Sequence, residues 1–237
     1  MQIIISPAKQ MKPTEDDFGP LSQPAFLDRS KKLVKNIQNL DYAFLKKALL
    51  CSDKIARSAY DNYQTFDFAR NVSPALFTYS GIQYQYMAPD VFTDDQIQYV
   101  QDRLWILSAL YGALRPMDGI VPYRLEMQTR IPDSLYSFWS DALANHIPAG
   151  PILNLASEEY AKCIRKYRPV IDVRFCHNVN GKLKEKGVYA KMARGRMVRF
   201  MAEQHVETIE ELYSFHDFNY TYSPYDSNNS VLIYIKK

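Results

Sequence analysis

Charged and aromatic side chains are concentrated in the stretch that runs from residue 104 to residue 127. The stretch begins as the predicted end of an amphipathic helix, which Gly112 and Pro116 interrupt, and it continues as a loop. This loop carries Arg115, Asp118, Tyr123, Arg124 and Glu126. A loop that holds such groups beside a rigid helix is a common place for binding or catalysis. We therefore expect it to form one wall of a functional site.

Basic residues in other segments point to an anionic ligand. Lys9 comes just past the first predicted strand, where α/β proteins tend to place ligands. Lys54 lies in the first turn of a predicted helix, where a cation opposes the helix dipole. The planar fork of arginine can bond two phosphate oxygens at once. The predicted set for binding phosphate or nucleic acid therefore comprises Lys9, Lys54, Arg115, Arg124, Lys191, Arg194 and Arg199.

The segment from residue 182 to residue 199 carries much of the positive charge. It holds seven basic residues against the single acid Glu185, whereas the net charge of the whole chain is +3. Such a concentration is typical of a site for phosphate or nucleic acid. A solvated charged face is the ordinary alternative for a charge run. Because Arg196 falls on the apolar stripe of the predicted helix, we expect it to form a structural ion pair.

Two carboxylates of the charged loop could act as general acid or base beside these arginines. Glu126 and Asp118 are the candidates for that role, which requires a suitably buried carboxylate. The alternative is that Glu126 pairs with an arginine and only orients it, which is common around basic sites. At this point the sequence leaves open whether any reaction is catalysed.

Common enzyme and cofactor signatures are absent from the sequence. It contains no P-loop, GxGxxG or GxSxG motif, so familiar nucleotide-binding and hydrolase scaffolds find no support. The four histidines are scattered, and no CxxC or HxxxH pair occurs. We therefore expect no metal site and no cofactor. Direct iron binding is disfavoured as well, because iron sites prefer clustered histidines and carboxylates.

Cysteine usage and hydropathy indicate a cytoplasmic protein. Cys51, Cys163 and Cys176 are odd in number and far apart, which favours free thiols in a reducing compartment. No apolar run approaches the roughly 18 residues of a membrane span. The N-terminal apolar run is also too short for a signal peptide. The oligomeric state is left open.

Hydrophobic periodicity predicts a mixed α/β fold, with residues 1–237 forming a single domain. The predicted strands cover residues 2–5, 151–156, 170–178, a return strand after the Asn180-Gly181 turn, and 231–235. The predicted helices cover residues 26–50, a segment from 52, 93–111, 135–146, a segment from 157, 189–201 and 208–215. In the helix over 93–111, Thr93 and Gln96 form a capping-box pair.

Several of these segments together resemble one protein family. They are the run ISPAK that ends at Lys9, SDKIA at 52–56, LSALYGALRPMDGIVPYRLEM at 107–127, YSFWSD at 136–141, LNLASEEY at 153–160 and ARGRMVRF at 193–200. In this order they resemble the YaaA family, the peroxide stress proteins. The chain departs from the family pattern at Tyr86-Met87 and at Asn219, and both departures affect expected loop geometry.

The resemblance implies a function and a fold beyond what the residues establish. It implies a cytoplasmic bacterial protein that protects cells from hydrogen peroxide by limiting unincorporated iron. It also implies a mixed α/β fold with a positively charged cleft, a helix-hairpin-helix-like element and an affinity for DNA. The expected partner is therefore DNA, double-stranded or distorted, or a phosphorylated small molecule. An enzyme acting on a nucleotide or a nucleic-acid base is the alternative.

Overall fold

The β-branched run near the N-terminus forms the centre of the main sheet. The computed structural model describes residues 1–13, 19–70 and 72–237. Strand β1 (Gln2–Ile5) contains Ile3, Ile4 and Ile5, which are fully buried. Burial on both faces of a strand is typical of parallel sheets and favours such continuous apolar runs. The predicted mixed α/β fold is confirmed.

Eight strands build the main sheet within the described residues. In addition to β1, these strands are β5 (Leu104–Ser108), β6 (Gly112–Leu114), β8 (Ile152–Leu155), β9 (Ile171–Val179), β10 (Lys182–Glu185), β11 (Tyr220–Tyr222) and β12 (Val231–Lys236). The strand order is β11, β12, β9, β8, β1, β5, β6, and β10 pairs with β9 beside this path. Strands β12, β9, β8, β1 and β5 run parallel, whereas β6, β10 and β11 are antiparallel to their neighbours.

Short ladders and helices complete the described structure. The two small antiparallel ladders pair β2 (Gln10–Met11) with β4 (Tyr79–Ser80), and β3 (Ser73–Pro74) with β7 (Gly119–Ile120). The α-helices are α1 (Leu27–Gln38), α2 (Tyr42–Leu49), α3 (Asp53–Gln64), α4 (Ala75–Thr78), α5 (Ile82–Met87), α6 (Asp94–Arg103), α7 (Leu135–Trp139), α8 (Ala142–His146), α9 (Glu158–Arg165) and α10 (Gly187–Gln204). Short 3-10 helices cover Pro89–Val91, Glu210–Ser214 and Asp217–Asn219. Across the described ranges, no helix combines the length and apolarity that a membrane span requires.

The helix predicted over residues 93–111 is wrong in its second half. Its capping box is present, with Thr93 and Gln96 exchanging hydrogen bonds, but α6 ends at Arg103. The next residues form strand β5, and all five of its side chains are buried. An apolar run such as Leu104–Ser108 satisfies a helical stripe and a buried strand equally well. Pairing with β1 in the core decides for the strand.

Other boundaries differ from the sequence expectation in smaller ways. The helix predicted over residues 135–146 is divided into α7 and α8 at Ser140, whose φ is +48°. The segment predicted as a helix over 208–215 contains a 3-10 helix instead. The expected hairpin at Asn180-Gly181 joins β9 to β10, and both residues have positive φ. At Gly112 the chain forms a β-hairpin between β5 and β6. The helix-hairpin-helix-like element stays a prediction.

A close contact between α10 and α5 depends on one glycine. Gly195 lies on α10 against the backbone of α5, and a Cβ atom there would stand 2.1 Å from the carbonyl oxygen of Gln83. The same Cβ would approach the backbone nitrogen of Met87 to 2.9 Å. The absence of a side chain therefore lets the two helices approach each other this closely. Both helices contribute residues to the cleft described below.

We expect Gly195→Ala to lower the free energy of unfolding by about 1–3 kcal/mol, because the added methyl group overpacks the helix contact. The measurement is urea unfolding followed by circular dichroism. Gly187→Ala in the same helix is the matched control, since no described residue beyond its chain neighbours and its own helix would come within 4 Å of the added methyl group. The control should retain wild-type stability or gain up to about 1 kcal/mol. Equal stability of the two variants would contradict the proposed packing constraint.

Candidate functional site

A cleft of about 510 Å³ opens beyond the carboxyl ends of β1 and β8. The neighbours of β1 are β5 on one side and β8 on the other, so the chain connections diverge at this point. Open α/β sheets place their ligands in such a crevice. The lining comes from residues 6–10, residues 80–85, residues 123–126, residues 157, 159 and 160, and residues 191 and 194.

Two serines join the strand ends at the base of the cleft. The backbone N–H of Ser157 donates to Oγ of Ser6 at 2.8 Å, and the two hydroxyl oxygens are 3.1 Å apart. The hydroxyl of Tyr84 donates to the carbonyl oxygen of Ser6 at 3.0 Å. These bonds connect the segment after β1, the start of α9 and helix α5. The base of the cleft is therefore held by hydrogen bonds between residues far apart in sequence.

Four of the seven predicted basic residues line this cleft. Lys9 follows β1, Arg124 lies in the loop after β7, and α10 contributes Lys191 and Arg194. The last two are three residues apart on one helix and so project from the same face. Because Glu126 and Glu159 are the acidic residues of the lining, its formal net charge is +2.

Glu126 is bound by two of these cations. One of its carboxylate oxygens lies 2.7 Å from Nη2 of Arg124, and the other lies 2.6 Å from Nζ of Lys9. Nη1 of Arg124 also donates to the carbonyl oxygen of Lys9 at 3.3 Å. Glu126 therefore forms an ion pair with an arginine, as the second interpretation of this residue expects. The carboxylate thereby holds two cations of the cleft side by side.

Both arginines of the cleft have a buried donor without a partner. Within the described part of the chain, Nε of Arg124 and Nε of Arg194 are buried and make no hydrogen bond. Nη2 of Arg194 lies 3.5 Å from a carboxylate oxygen of Glu185. Burial lowers the pKa of the Arg194 guanidinium, against the opposing effect of the Glu185 carboxylate. A buried donor left unsatisfied costs roughly 1–3 kcal/mol, so these two groups are suited to an anionic ligand.

Neutral tyrosines form a further part of the lining, namely Tyr84, Tyr123 and Tyr160. The hydroxyl of Tyr123 lies 2.7 Å from Oγ of Ser108 and 3.0 Å from the hydroxyl of Tyr79. Burial raises the pKa of Tyr123 to about 12, although these hydrogen bonds act in the opposite direction. The phenol therefore stays neutral at physiological pH. The cleft lining thus combines cationic groups with uncharged tyrosines.

Sequence reasoning from residue types did not single out every residue of the lining. It missed Ser6, Tyr84, Glu159 and Tyr160 as members of a site. Ser6 lies in the run ISPAK, and Glu159 and Tyr160 lie in LNLASEEY. These runs carried the family resemblance, which is the signal that could have identified three of the four residues.

Three predicted basic residues lie outside the lining of the cleft. Lys54 is exposed in the first turn of α3. The guanidinium of Arg115 stacks on the ring of Trp105 at 5.1 Å. Nε of Arg199 bonds the carboxylate of Glu203 at 2.6 Å, one turn further along α10. The structure therefore gives these three residues surroundings that differ from those of the four cleft cations.

Asp118 is also placed outside the cleft lining. One of its carboxylate oxygens accepts from the hydroxyl of Ser22 at 2.6 Å, and the other accepts from the backbone N–H of Arg115 at 2.8 Å. The residue is only 4% exposed. Burial raises the pKa of its carboxyl group, more strongly than these hydrogen bonds lower it. Its contacts fix the turn between β6 and β7.

The expected structural role of Arg196 is confirmed. Its Nε atom lies 2.7 Å from a carboxylate oxygen of Asp217. The ion pair connects α10 to the 3-10 helix Asp217–Asn219. The arginine therefore satisfies its charge locally, as its position on the apolar stripe required.

The fold and the site together define a mixed α/β protein with a cationic, tyrosine-lined cleft at the carboxyl ends of its central strands. The family model described as peroxide stress protein YaaA matches residues 1–226. The chain therefore belongs to the YaaA family, as the resemblance of its motifs indicated.

Relatives from several bacteria match over all or nearly all of their length. A UPF0246 protein of Lacticaseibacillus casei (strain BL23) is 46% identical over an alignment of 247 residues, which covers 100% of both chains. A UPF0246 protein of Lactiplantibacillus plantarum is 46% identical over 246 residues, which cover 99% of each chain. A UPF0246 protein of Desulfitobacterium hafniense (strain Y51) is 44% identical over 246 residues, covering 100% of this chain and 98% of its own.

The raised pKa of Asp118 predicts how its contribution to stability varies with pH. A carboxyl group whose folded-state pKa lies above its unfolded value of 3.8 stabilises the fold fully below that value. This contribution is lost as pH rises through the folded-state pKa. The stability of the wild type relative to Asp118→Asn should therefore decrease as pH rises above about 4. Urea unfolding of both proteins across this range measures the difference, and a relative stability that increases with pH would contradict the assignment.

Proposed function

We propose that this protein acts in peroxide-stress defence by binding DNA through the cationic cleft. One observation carries the proposal: the lining of a single cleft holds two arginines, Arg124 and Arg194, whose Nε–H donors have no partner among the described residues. Phosphate oxygens are suitable acceptors for such donors, because charge-assisted hydrogen bonds are stronger than neutral ones. Lys9 and Lys191 supply further positive charge in the same cleft. The cytoplasm, where DNA is accessible, is the proposed location.

An exposed basic hairpin supports contacts with a longer stretch of DNA. Lys182, Lys184 and Lys186 follow the β9–β10 turn, and all three are exposed. The hairpin leads directly into α10, which carries Lys191 and Arg194 to the cleft. Positive charge therefore extends from the cleft along a surface element. Contacts of this kind to the DNA backbone provide affinity without sequence preference.

Restriction of unincorporated iron is the second part of the proposal, and the family resemblance supports it. Among the described residues, no group of three His, Cys, Asp or Glu is placed to hold a metal ion. The proposal accordingly makes no use of a resident iron site. Measurement of unincorporated iron in peroxide-stressed cells that lack the protein tests it, with the wild-type chain as the complementing control. Iron levels unchanged by the loss of the protein would contradict this part.

The dependence of DNA affinity on salt distinguishes cleft cations from other cations. Lys9→Gln and Lys191→Gln should each weaken binding and reduce the slope of log K against log salt by about 1, because each removes one phosphate contact. Fluorescence anisotropy of a labelled duplex at several salt concentrations provides the measurement. Lys54→Gln is the matched control, since Lys54 is exposed and lies outside the cleft lining.

Binding that does not change with salt would contradict the DNA-binding proposal, because backbone contacts release counterions. An equal loss in Lys54→Gln and Lys9→Gln would indicate that binding follows net charge and does not use the cleft. Unchanged affinity in both cleft variants would also contradict the assigned role of the cleft.

The alternative function is an enzyme that acts on a nucleotide or a nucleic-acid base. Glu126 favours this alternative, since its partly exposed carboxylate lines the cleft, whereas Asp118 lies elsewhere. Under the binding proposal, Glu126→Gln should change DNA affinity and peroxide protection together, because Glu126 positions Lys9 and Arg124. Survival of peroxide-stressed cells and DNA affinity are the two measurements. Lost protection with intact DNA affinity would instead support catalysis by Glu126.

A further inference from the structure

The volume of the cleft limits what can enter it. At about 510 Å³ it falls within the range of roughly 300–1,000 Å³ that is typical of small-molecule sites. A B-form duplex is too large for such a space, since its major groove alone is about 12 Å wide. A duplex could contact the rim of the cleft and the basic hairpin, but its paired bases would stay outside. The interior therefore suits a unit no larger than one nucleotide.

The cleft lining contains two kinds of group, and a nucleotide has two matching parts. Arg124 and Arg194 have Nε–H donors that find no partner in the described part of the chain, and such donors suit a phosphate group. Tyr84 and Tyr160, which are only 4% and 6% exposed, border the cleft with uncharged rings that suit contact with a sugar or a base. The carboxylate of Glu159 can accept hydrogen bonds from hydroxyl or amino groups. A site for phosphate alone would not require uncharged rings in its lining.

We propose that the cleft binds a single nucleotide, with its phosphate at the Nε–H groups of Arg124 and Arg194 and its sugar and base beside the tyrosines. The nucleotide can be free or can be turned out of a DNA strand. In the second case the inference rests on the proposed DNA-binding function. Turning out a nucleotide costs stacking and pairing energy, and this cost is smallest where the base is already unpaired.

The first experiment compares the parts of a nucleotide. Titration calorimetry measures binding of deoxyadenosine 5′-monophosphate, deoxyadenosine and inorganic phosphate to the full chain. We expect the nucleotide to bind at least about tenfold more tightly than phosphate or nucleoside. Only the nucleotide contacts both the arginines and the tyrosines of the cleft. Equal affinities of the nucleotide and inorganic phosphate would overturn the proposal and would define a simple anion site.

Conservative variants test the assignment of the phosphate to the two arginines. Arg124→Lys and Arg194→Lys keep the positive charge but remove the Nε–H donor. Each should weaken nucleotide binding by about tenfold or more, as expected for a lost hydrogen bond to a charged group. Arg199→Lys is the matched control, because Arg199 pairs with Glu203 on the same helix and lies outside the cleft lining. Wild-type nucleotide affinity in both cleft variants would overturn the assignment.

The second experiment identifies the source of the nucleotide. It compares a fully paired duplex with a duplex of the same sequence that contains one extra unpaired 2-aminopurine nucleotide. Their backbone contacts are nearly the same, so the electrostatic contribution should change little. We expect the bulged duplex to bind at least about tenfold more tightly, and free deoxyadenosine monophosphate to compete with it, because both occupy the cleft.

The outcomes separate this inference from the function proposed above. Equal, salt-dependent binding of both duplexes without competition by the mononucleotide would overturn the nucleotide site and would leave DNA binding standing. Tight binding of the mononucleotide without binding of either duplex would support a free nucleotide as the ligand and would overturn DNA binding. Absence of binding to the mononucleotide and to both duplexes would overturn both proposals.

Discussion

Two partly buried arginines beside the ends of the central strands are the constraint on which the site depends. A charged group away from water must be paired or hydrogen-bonded, because the loss of hydration is costly. Glu126 provides a partner for Arg124, and Glu185 lies beside Arg194. These contacts use the outer nitrogens of the guanidinium groups and leave both Nε–H donors unpartnered within the described chain. The cleft is thereby stabilised as a cationic site while it retains donors for a ligand.

The rest of the fold can be understood as the means of bringing these arginines together. Parallel pairing of β1 with β5 and β8 fixes the strand ends, and the contact of Ser6 with Ser157 holds two of them at the base of the cleft. Helix α10 carries Arg194, and its glycine at position 195 permits close approach to α5. A displacement of α10 would therefore move one arginine relative to the other. Stability of this helix contact and ligand affinity should be physically linked.

Much of the fold follows from local patterns, whereas the composition of the site depends on distant contacts. The strands around Ile4 and Asn154, and the capping box of α6, follow from apolar runs and cap residues. The strand Leu104–Ser108 does not, because its spacing also fits a helix and only its pairing with β1 decides. The seven predicted cations share a position in or next to predicted strands, helices or the charged loop. Whether Arg115 stacks on Trp105 or enters the cleft depends on a loop path that sequence spacing does not encode.

The central claim is that the two Nε–H groups donate hydrogen bonds to the phosphate of the ligand. Nuclear magnetic resonance can observe these groups directly. Arginine Nε–H correlations can be recorded during titration with deoxyadenosine monophosphate, and the lysine variants assign the signals of Arg124 and Arg194. Both signals should shift on binding, because each donor forms a new charge-assisted hydrogen bond. The signal of Arg199, already bonded to Glu203, should stay in place. Signals of Arg124 and Arg194 that move no more than that of Arg199 would contradict the assignment of the phosphate to these two groups.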